Sequence, residues 1–286
     1  MNNTSDKIFQ VDIEKVIRSQ KIRYIKNMPN FAVRYIKKVI REDELNKITE
    51  YAGETRGIEF IKKSMDYLNI NCNFYNKENI PPEGRFIFAG NHPLGGIDFF
   101  AAILSISDNY DNIKMIANEM LMHVKPLQDI FLPVNVFNHN SGKVKEAIIK
   151  AMASENIQMM TFPAGEVARK YNGILDDGKW HRSFIRNAVE FKRDIIPVFI
   201  DAENSKKFYR VANIRRTFRL KTDLELFLLP QELIKQRNKV INVTFGKPIS
   251  YKTFNKNKQS CEWAQEVKKV VYGLKKNKNL TLQNEY

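Results

Sequence analysis

The sequence predicts an α/β protein in which a mixed sheet is flanked by helices, behind a helical extension at the N-terminus. Three observations carry this. From about residue 74 onward, short apolar runs of strand length alternate with amphipathic stretches of helix length. One run, Ile195–Ile200 (IIPVFI), is almost continuously apolar, as a strand buried on both faces requires. The third is Arg85–Ile106, RFIFAGNHPLGGIDFFAAILSI, which passes from an apolar strand through a glycine-rich turn into a helix with a carboxylate in its first turn. In open α/β sheets the carboxyl end of a strand is where ligands bind. The chain of 286 residues is accordingly divided into a basic amphipathic helical extension, residues 1–73, and a body, residues 74–286.

Composition narrows the function classes. Hydrophobic residues make up 43%, enough for a substantial core, yet no run of about 18 apolar residues is present to span a bilayer as a helix. Residues 1–10 are polar and lack the apolar core of a signal peptide. Cys72 and Cys261 stand far apart without metal-ligand spacing, which points to structural roles in a reducing compartment and to a cytoplasmic chain. A net charge of +15 asks for an anionic partner: nucleic acid, an anionic membrane surface or an acidic protein. No helix-turn-helix signature, zinc spacing or aromatic RNA-binding motif accompanies the charge, so nucleic acid is not expected.

Taken in order, residues 11–41 hold nine Lys or Arg and two acidic residues. Ile13, Val16, Ile17, Tyr24, Ile25 and Met28 recur at helical spacing, Pro29 divides two helices, and Phe31, Val33, Tyr35, Ile36, Val39 and Ile40 form a second apolar set. Such helices suit an anionic bilayer surface; the alternative is packing on the body with a solvated basic face. Residues 42–70 continue as helix with a break at Gly53–Gly57, Cys72–Tyr75 is a short strand, and Pro81-Pro82-Glu83-Gly84 turns into the central strand Arg85–Ala89. Strands are expected at Ile113–Ala117 and within Asp129–Phe137. Asn135, Asn138, His139 and Asn140 follow, where the histidine is either catalytic or simply solvated.

Gly142–Ser154 reads as a helix and Ile157–Phe162 as a buried strand ending in Phe162-Pro163-Ala164-Gly165-Glu166. Arg169 and Lys170 then offer positive charge to a carboxylate or phosphate. Trp180–Arg193 reads as a helix with Phe184, Ala188 and Phe191 inward. Lys206–Lys221 holds seven basic residues and no acid on an amphipathic helix, a surface for an acidic partner or a solvated face. Helical turns over Leu224–Ile234, a strand at Val240–Phe245 and a last helix at Gln259–Lys275 complete the chain, with a frayed Lys276–Tyr286.

The chemistry is expected at the glycine turn. A neutral imidazole at His92 can take a proton from a hydroxyl, and Asp98, six positions on, can fix its tautomer through the other nitrogen. Gly95 and Gly96 let backbone N–H groups approach a substrate carbonyl. A histidine that merely sits in a turn is the alternative.

The segment Asn91-His92-Pro93-Leu94-Gly95-Gly96-Ile97-Asp98 resembles the catalytic block of the lysophospholipid and glycerolipid acyltransferase superfamily, whose hallmark is Asn-His, four residues, then Asp; here five residues intervene. The Pro-Leu-Gly-Gly form resembles the hemolysin-like branch that makes aminolipids such as ornithine or glycine lipids. Phe162–Glu166 resembles the superfamily's Phe-Pro-Glu-Gly block, with Ala164 for the glutamate. Ile195–Ile200 resembles the strand that lines the acyl pocket, and the Val240–Ile249 stretch the closing strand and turn. The resemblance spans roughly residues 74–250.

That resemblance implies a glycerolipid-acyltransferase-like sheet and transfer of an acyl group from a carrier-protein or coenzyme A thioester to the hydroxyl of a lyso-aminolipid, an N-(3-hydroxyacyl) amino acid. His92 would be the base and Asp98 its partner, with Gly95-Gly96 or Gly165 amides holding the oxyanion. Substrate contacts would come from Asn91, Gly95, Gly96, Phe162, Pro163, Gly165, Glu166 and Arg169, the last on a carboxylate. The arginine that the superfamily places on acceptor phosphate has no counterpart here before Lys143. Lysophosphatidic acid is nonetheless the broader alternative acceptor, and a non-enzymatic basic protein bound to membrane or nucleic acid is a third reading. Neither metal nor cofactor is expected; acyl carrier protein or coenzyme A thioester, a lipid acceptor and the inner face of the cytoplasmic membrane are the expected partners.

Overall fold

The protein is described here by a computed structural model covering residues 8–18, 26–134, 142–218 and 224–282. Its strands are β1 (Asn71–Tyr75), β2 (Phe86–Gly90), β3 (Ile113–Asn118), β4 (Phe131–Val134), β5 (Gln158–Thr161), β6 (Arg169–Tyr171), β7 (Ile174–Asp176), β8 (Asp194–Asp201) and β9 (Val240–Phe245). Seven of them form one sheet in the order β1-β9-β8-β2-β5-β3-β4. Pairing is parallel throughout except between β8 and β9, so the last strand of the chain reverses direction and pairs in parallel with the first. The sheet is therefore mixed, as the sequence predicts.

Every residue of β2 is buried, and its alternation splits the core. Phe86 and Phe88 face a layer that includes α4 (Gly57–Tyr67) and α5 (Ile97–Ile106). Ile87 and Ala89 face α6 (Gly142–Ala153), α7 (Ser183–Glu190) and α10 (Ser260–Gly273). Counting α1 (Ile13–Arg18), α2 (Asn30–Ile40) and α3 (Glu42–Ala52) before them, α8 (Lys206–Thr217) and α9 (Leu229–Ile234) complete the described helices. The N-terminal helices reach the same core: Phe60, Ile61, Met65 and Leu68 pack under the sheet, and the boundary expected between residues 73 and 74 falls inside β1.

Two segments differ from expectation for identifiable reasons. The helix expected over Trp180–Arg193 is confined to Ser183–Glu190. Trp180 is drawn away by a hydrogen bond from its indole to Asp177, and Arg193 turns into the core. There its guanidinium donates to the carbonyls of Phe86, Ala151, Met152, Ser154 and Ile157, closing the end of α6 against the sheet. The charged loop after Phe162 contains a hairpin, β6–β7, turned by Asn172 and Gly173 at φ of 50° and 82°.

Candidate active site

The turn after β2 is held before any substrate arrives. Asn91 is buried, and its amide pairs with the backbone of β8: Nδ2 donates to the Ile200 carbonyl at 2.9 Å, and the Ile200 N–H donates to Oδ1 at 2.8 Å. The side chain expected to meet substrate therefore fixes the start of the turn that carries His92 instead. His92 comes next, partly open to solvent, and its ring stacks on Phe162 with centroids 4.2 Å apart and planes 15° from parallel.

Asp98 organises the rest. Its carboxylate is fully buried at the start of α5 and lies 2.8 Å from His92 Nδ1. It also accepts four backbone N–H bonds, from Leu94, Gly95, Gly96 and Phe99, at 2.9–3.1 Å. Burial alone would raise the carboxyl pKa, but the facing His92 and these amides outweigh it and hold the group below its ordinary value. An ionised carboxylate can only accept, so Nδ1 carries the hydrogen, which in the neutral imidazole leaves the lone pair on Nε2. Among the described residues nothing is bonded to Nε2. The five-residue spacing thus still delivers the pair, because Gly95 takes a left-handed conformation at φ +83°. A Cβ at Gly95 would come within 2.8 Å of Leu229 and of Val167.

The expected oxyanion donors are corrected by the same contacts: the Gly95 and Gly96 amides are spent on Asp98. The Gly165 amide is also engaged, donating to the Phe162 carbonyl at 3.0 Å. Beyond it the strap 162–168 brackets the histidine, with Phe162 on its ring and the Ala168 N–H on its carbonyl at 2.8 Å. Pro163 is buried and accepts from the His181 N–H, while Gly165 and Glu166 are exposed.

Arg169 stands apart from its expected role. It is 5% exposed and donates twice to Glu225 Oε1, at 2.9 and 3.1 Å, and to the Val167 carbonyl, with its guanidinium over the Phe208 ring. Arg215 Nε lies 3.1 Å from the other Glu225 oxygen. The guanidinium is a buried structural tie, not an open carboxylate receptor. His139 and its neighbouring asparagines lie outside the described residues.

Sequence reasoning missed Asp177. This buried carboxylate accepts from the His92 N–H at 3.3 Å, the Trp180 indole at 3.0 Å and the Tyr272 hydroxyl at 2.9 Å. Burial pushes its carboxyl above the usual range against the lowering effect of the Trp180 and Tyr272 bonds. The Asp176-Asp177-Gly178 turn was visible in the sequence, but nothing local reveals that its second carboxylate turns inward.

A family profile described as acyltransferase matches residues 15–281. Two relatives named lyso-glycine lipid O-acyltransferase, from Bacteroides thetaiotaomicron and Phocaeicola vulgatus, are each 34% identical over 272 residues. The matches cover 95% of this chain and 100% and 97% of theirs. The crystal structure of the 1-acyl-sn-glycerophosphate (LPA) acyltransferase PlsC from Thermotoga maritima aligns with 91% of this chain and 88% of its own, at 18% identity and a TM-score of 0.47.

Proposed function

Because the chain belongs to the acyltransferase family, we propose that it moves a fatty acyl group from a thioester donor to the hydroxyl of a lyso-aminolipid, an N-(3-hydroxyacyl) amino acid of the lyso-glycine lipid type. The observation that carries the chemistry is the His92–Asp98 pair with Nε2 unencumbered. The names of the two relatives support the acceptor.

In this reading His92 Nε2 takes the proton from the 3-hydroxyl as its oxygen attacks the thioester carbonyl. The resulting imidazolium is stabilised by Asp98 and returns the proton to the departing thiolate, so that a C–O bond replaces a C–S bond. General-base action of this kind contributes about 10²–10⁴-fold. The oxyanion falls to the amides of Glu166 and Val167, which follow Gly165 in the strap around His92 and have no hydrogen-bond partner among the described residues. The donor is a thioester of acyl carrier protein or coenzyme A. Reaction takes place at an anionic membrane surface, where α2 presents Phe31 and Tyr35, 72% and 69% exposed, on the helix that also carries Arg34 and Lys38. Among the described residues no helix is long and apolar enough to cross a membrane.

The test is competition between acceptors. Purified protein given an acyl-carrier-protein thioester is expected to acylate an N-(3-hydroxyacyl)glycine faster than lysophosphatidic acid. Equal or faster turnover of lysophosphatidic acid would transfer the assignment to glycerolipid synthesis.

A further inference from the structure

The cations after the catalytic strap face one another across a groove. One wall is the β6–β7 hairpin with Lys170, and the other is a single face of α8 carrying Lys206, Tyr209, Arg210, Asn213 and Arg216. The cleft between them is about 470 Å³, within the range of small-ligand sites. Its charge is poorly compensated. Lys170 meets Glu203 at 2.5 Å, and Arg216 lies over the Tyr171 ring at 4.8 Å. Lys206 and Arg210 have no acidic partner among the described residues. Like charges held this close raise the local potential and favour an anion between them.

Both walls are tied to the catalytic turn. Ala168, two residues before Lys170, donates to the His92 carbonyl at 2.8 Å. On the other side the Tyr209 hydroxyl accepts from the Asn204 N–H at 3.0 Å, and Asn204 Nδ2 donates to the carbonyls of Pro93 and Leu94. An anion in the groove is therefore held on scaffolding that is hydrogen-bonded to the residues flanking His92.

We propose that this groove binds the phosphate ester on the pantetheine arm of the acyl donor, whether a protein or coenzyme A carries the arm. The inference rests on the thioester reading above and adds to it where the donor is gripped. Lys206 and Arg210 supply charge-assisted hydrogen bonds, Arg216 is aligned by Tyr171, and Asn213 adds a neutral donor between them.

Calorimetric titration of the full chain with coenzyme A, 4′-phosphopantetheine and pantetheine tests this without turnover. The two phosphate-bearing ligands should bind at least about tenfold more tightly than pantetheine, the effect expected of hydrogen bonds to a charged group. The double variant Lys206→Gln/Arg210→Gln should remove that advantage. Lys207→Gln, which changes charge on the same helix outside the groove, should retain it. Equal binding of pantetheine, or an equal loss in Lys207→Gln, would overturn the proposal. So would displacement of coenzyme A by glycerol 3-phosphate more readily than by 4′-phosphopantetheine, since the groove would then belong to an acceptor. Kinetically, the kcat/KM ratio of acyl-phosphopantetheine to acyl-pantetheine should collapse in the double variant; a misfolded variant loses both substrates and keeps the ratio. If no thioester supports transfer, the proposed reaction fails, while the titration still decides the groove.

Discussion

A carboxylate that accepts four amide hydrogens and one imidazole hydrogen cannot become a carboxamide without turning one acceptor into a donor that faces another donor. Asp98→Asn should thus lose both the tautomer control at His92 and part of the turn, with about 1–3 kcal/mol of stability. Parallel melting and rate measurements check this, and an unchanged enzyme would mean that the pair is idle. The acid limb separates the two effects. Because the folded pKa of Asp98 is depressed, its stabilisation is present above the ordinary aspartate range and is lost as pH falls through the lower folded value. Denaturation curves of wild type and Asp98→Asn should therefore converge on acidification and diverge toward neutrality. His92→Ala should reduce transfer by about 10²-fold or more while keeping the fold, because in the proposed reaction the ring moves the proton and it supports little core. At this scale the sequence disclosed His92 and Asp98, whose meaning is carried by six consecutive steps of chain. It could not disclose Asp177, whose bond to His92 spans 85 residues, or Glu225, whose bond to Arg169 spans 56. Arg169 departs from its expected role for the same reason: its neighbours in sequence suggest an open cation, while Glu225, its neighbour in space, neutralises it.

Among elements, the turn between β2 and α5 and the seam around Arg193 are the least forgiving. Gly95→Ala combines a left-handed backbone with a methyl driven against Leu229 and Val167, so it should cost about 1–3 kcal/mol and disturb the strap beside His92. A melting temperature equal to wild type would show that α9 yields freely. Arg193→Ala leaves five buried or half-buried carbonyls without their donor and should lower stability by about 3 kcal/mol or more. Lysine there, with a compact ammonium in place of a planar fork, should recover little of it. Strands and helices of ordinary length were legible from apolar period alone. The β6–β7 hairpin was not, although Asn172-Gly173 is a strong turn signal, because three-residue strands are too short to show alternation. The helix α7 is shorter than the apolar period predicts because Trp180, which fits that period, is claimed by Asp177 three residues before it, and Arg193 by carbonyls far away in the chain.

Over the whole molecule, the excess of positive charge should act mainly at a surface. Deleting residues 13–41, which remove nine Lys or Arg, or raising salt should weaken association with anionic vesicles. Each basic residue near the surface is worth up to about 1 kcal/mol. Vesicle co-sedimentation that ignores both changes would place the contact elsewhere. The layered α/β architecture was readable from the alternation of element types. Strand order was not: local pattern says which segments are strands, whereas the insertion of β9 between β1 and β8 depends on contacts across most of the chain.

That insertion has a consequence for how the molecule is born. Asn73 and Asn242, paired across β1 and β9, are 169 positions apart. At the ribosome β1 emerges long before β9, its one neighbour in the sheet among the described residues, and β8, on the far side of β9, waits with one edge open. Closure of so distant a pairing is slow, and it cannot begin until β9 itself has been synthesised. Throughout that interval the apolar undersides of the N-terminal helices have no completed sheet to cover. The nascent chain is therefore at its most adhesive just before β9 emerges, and a chain ending at residue 239 should accumulate as aggregate rather than as a smaller enzyme.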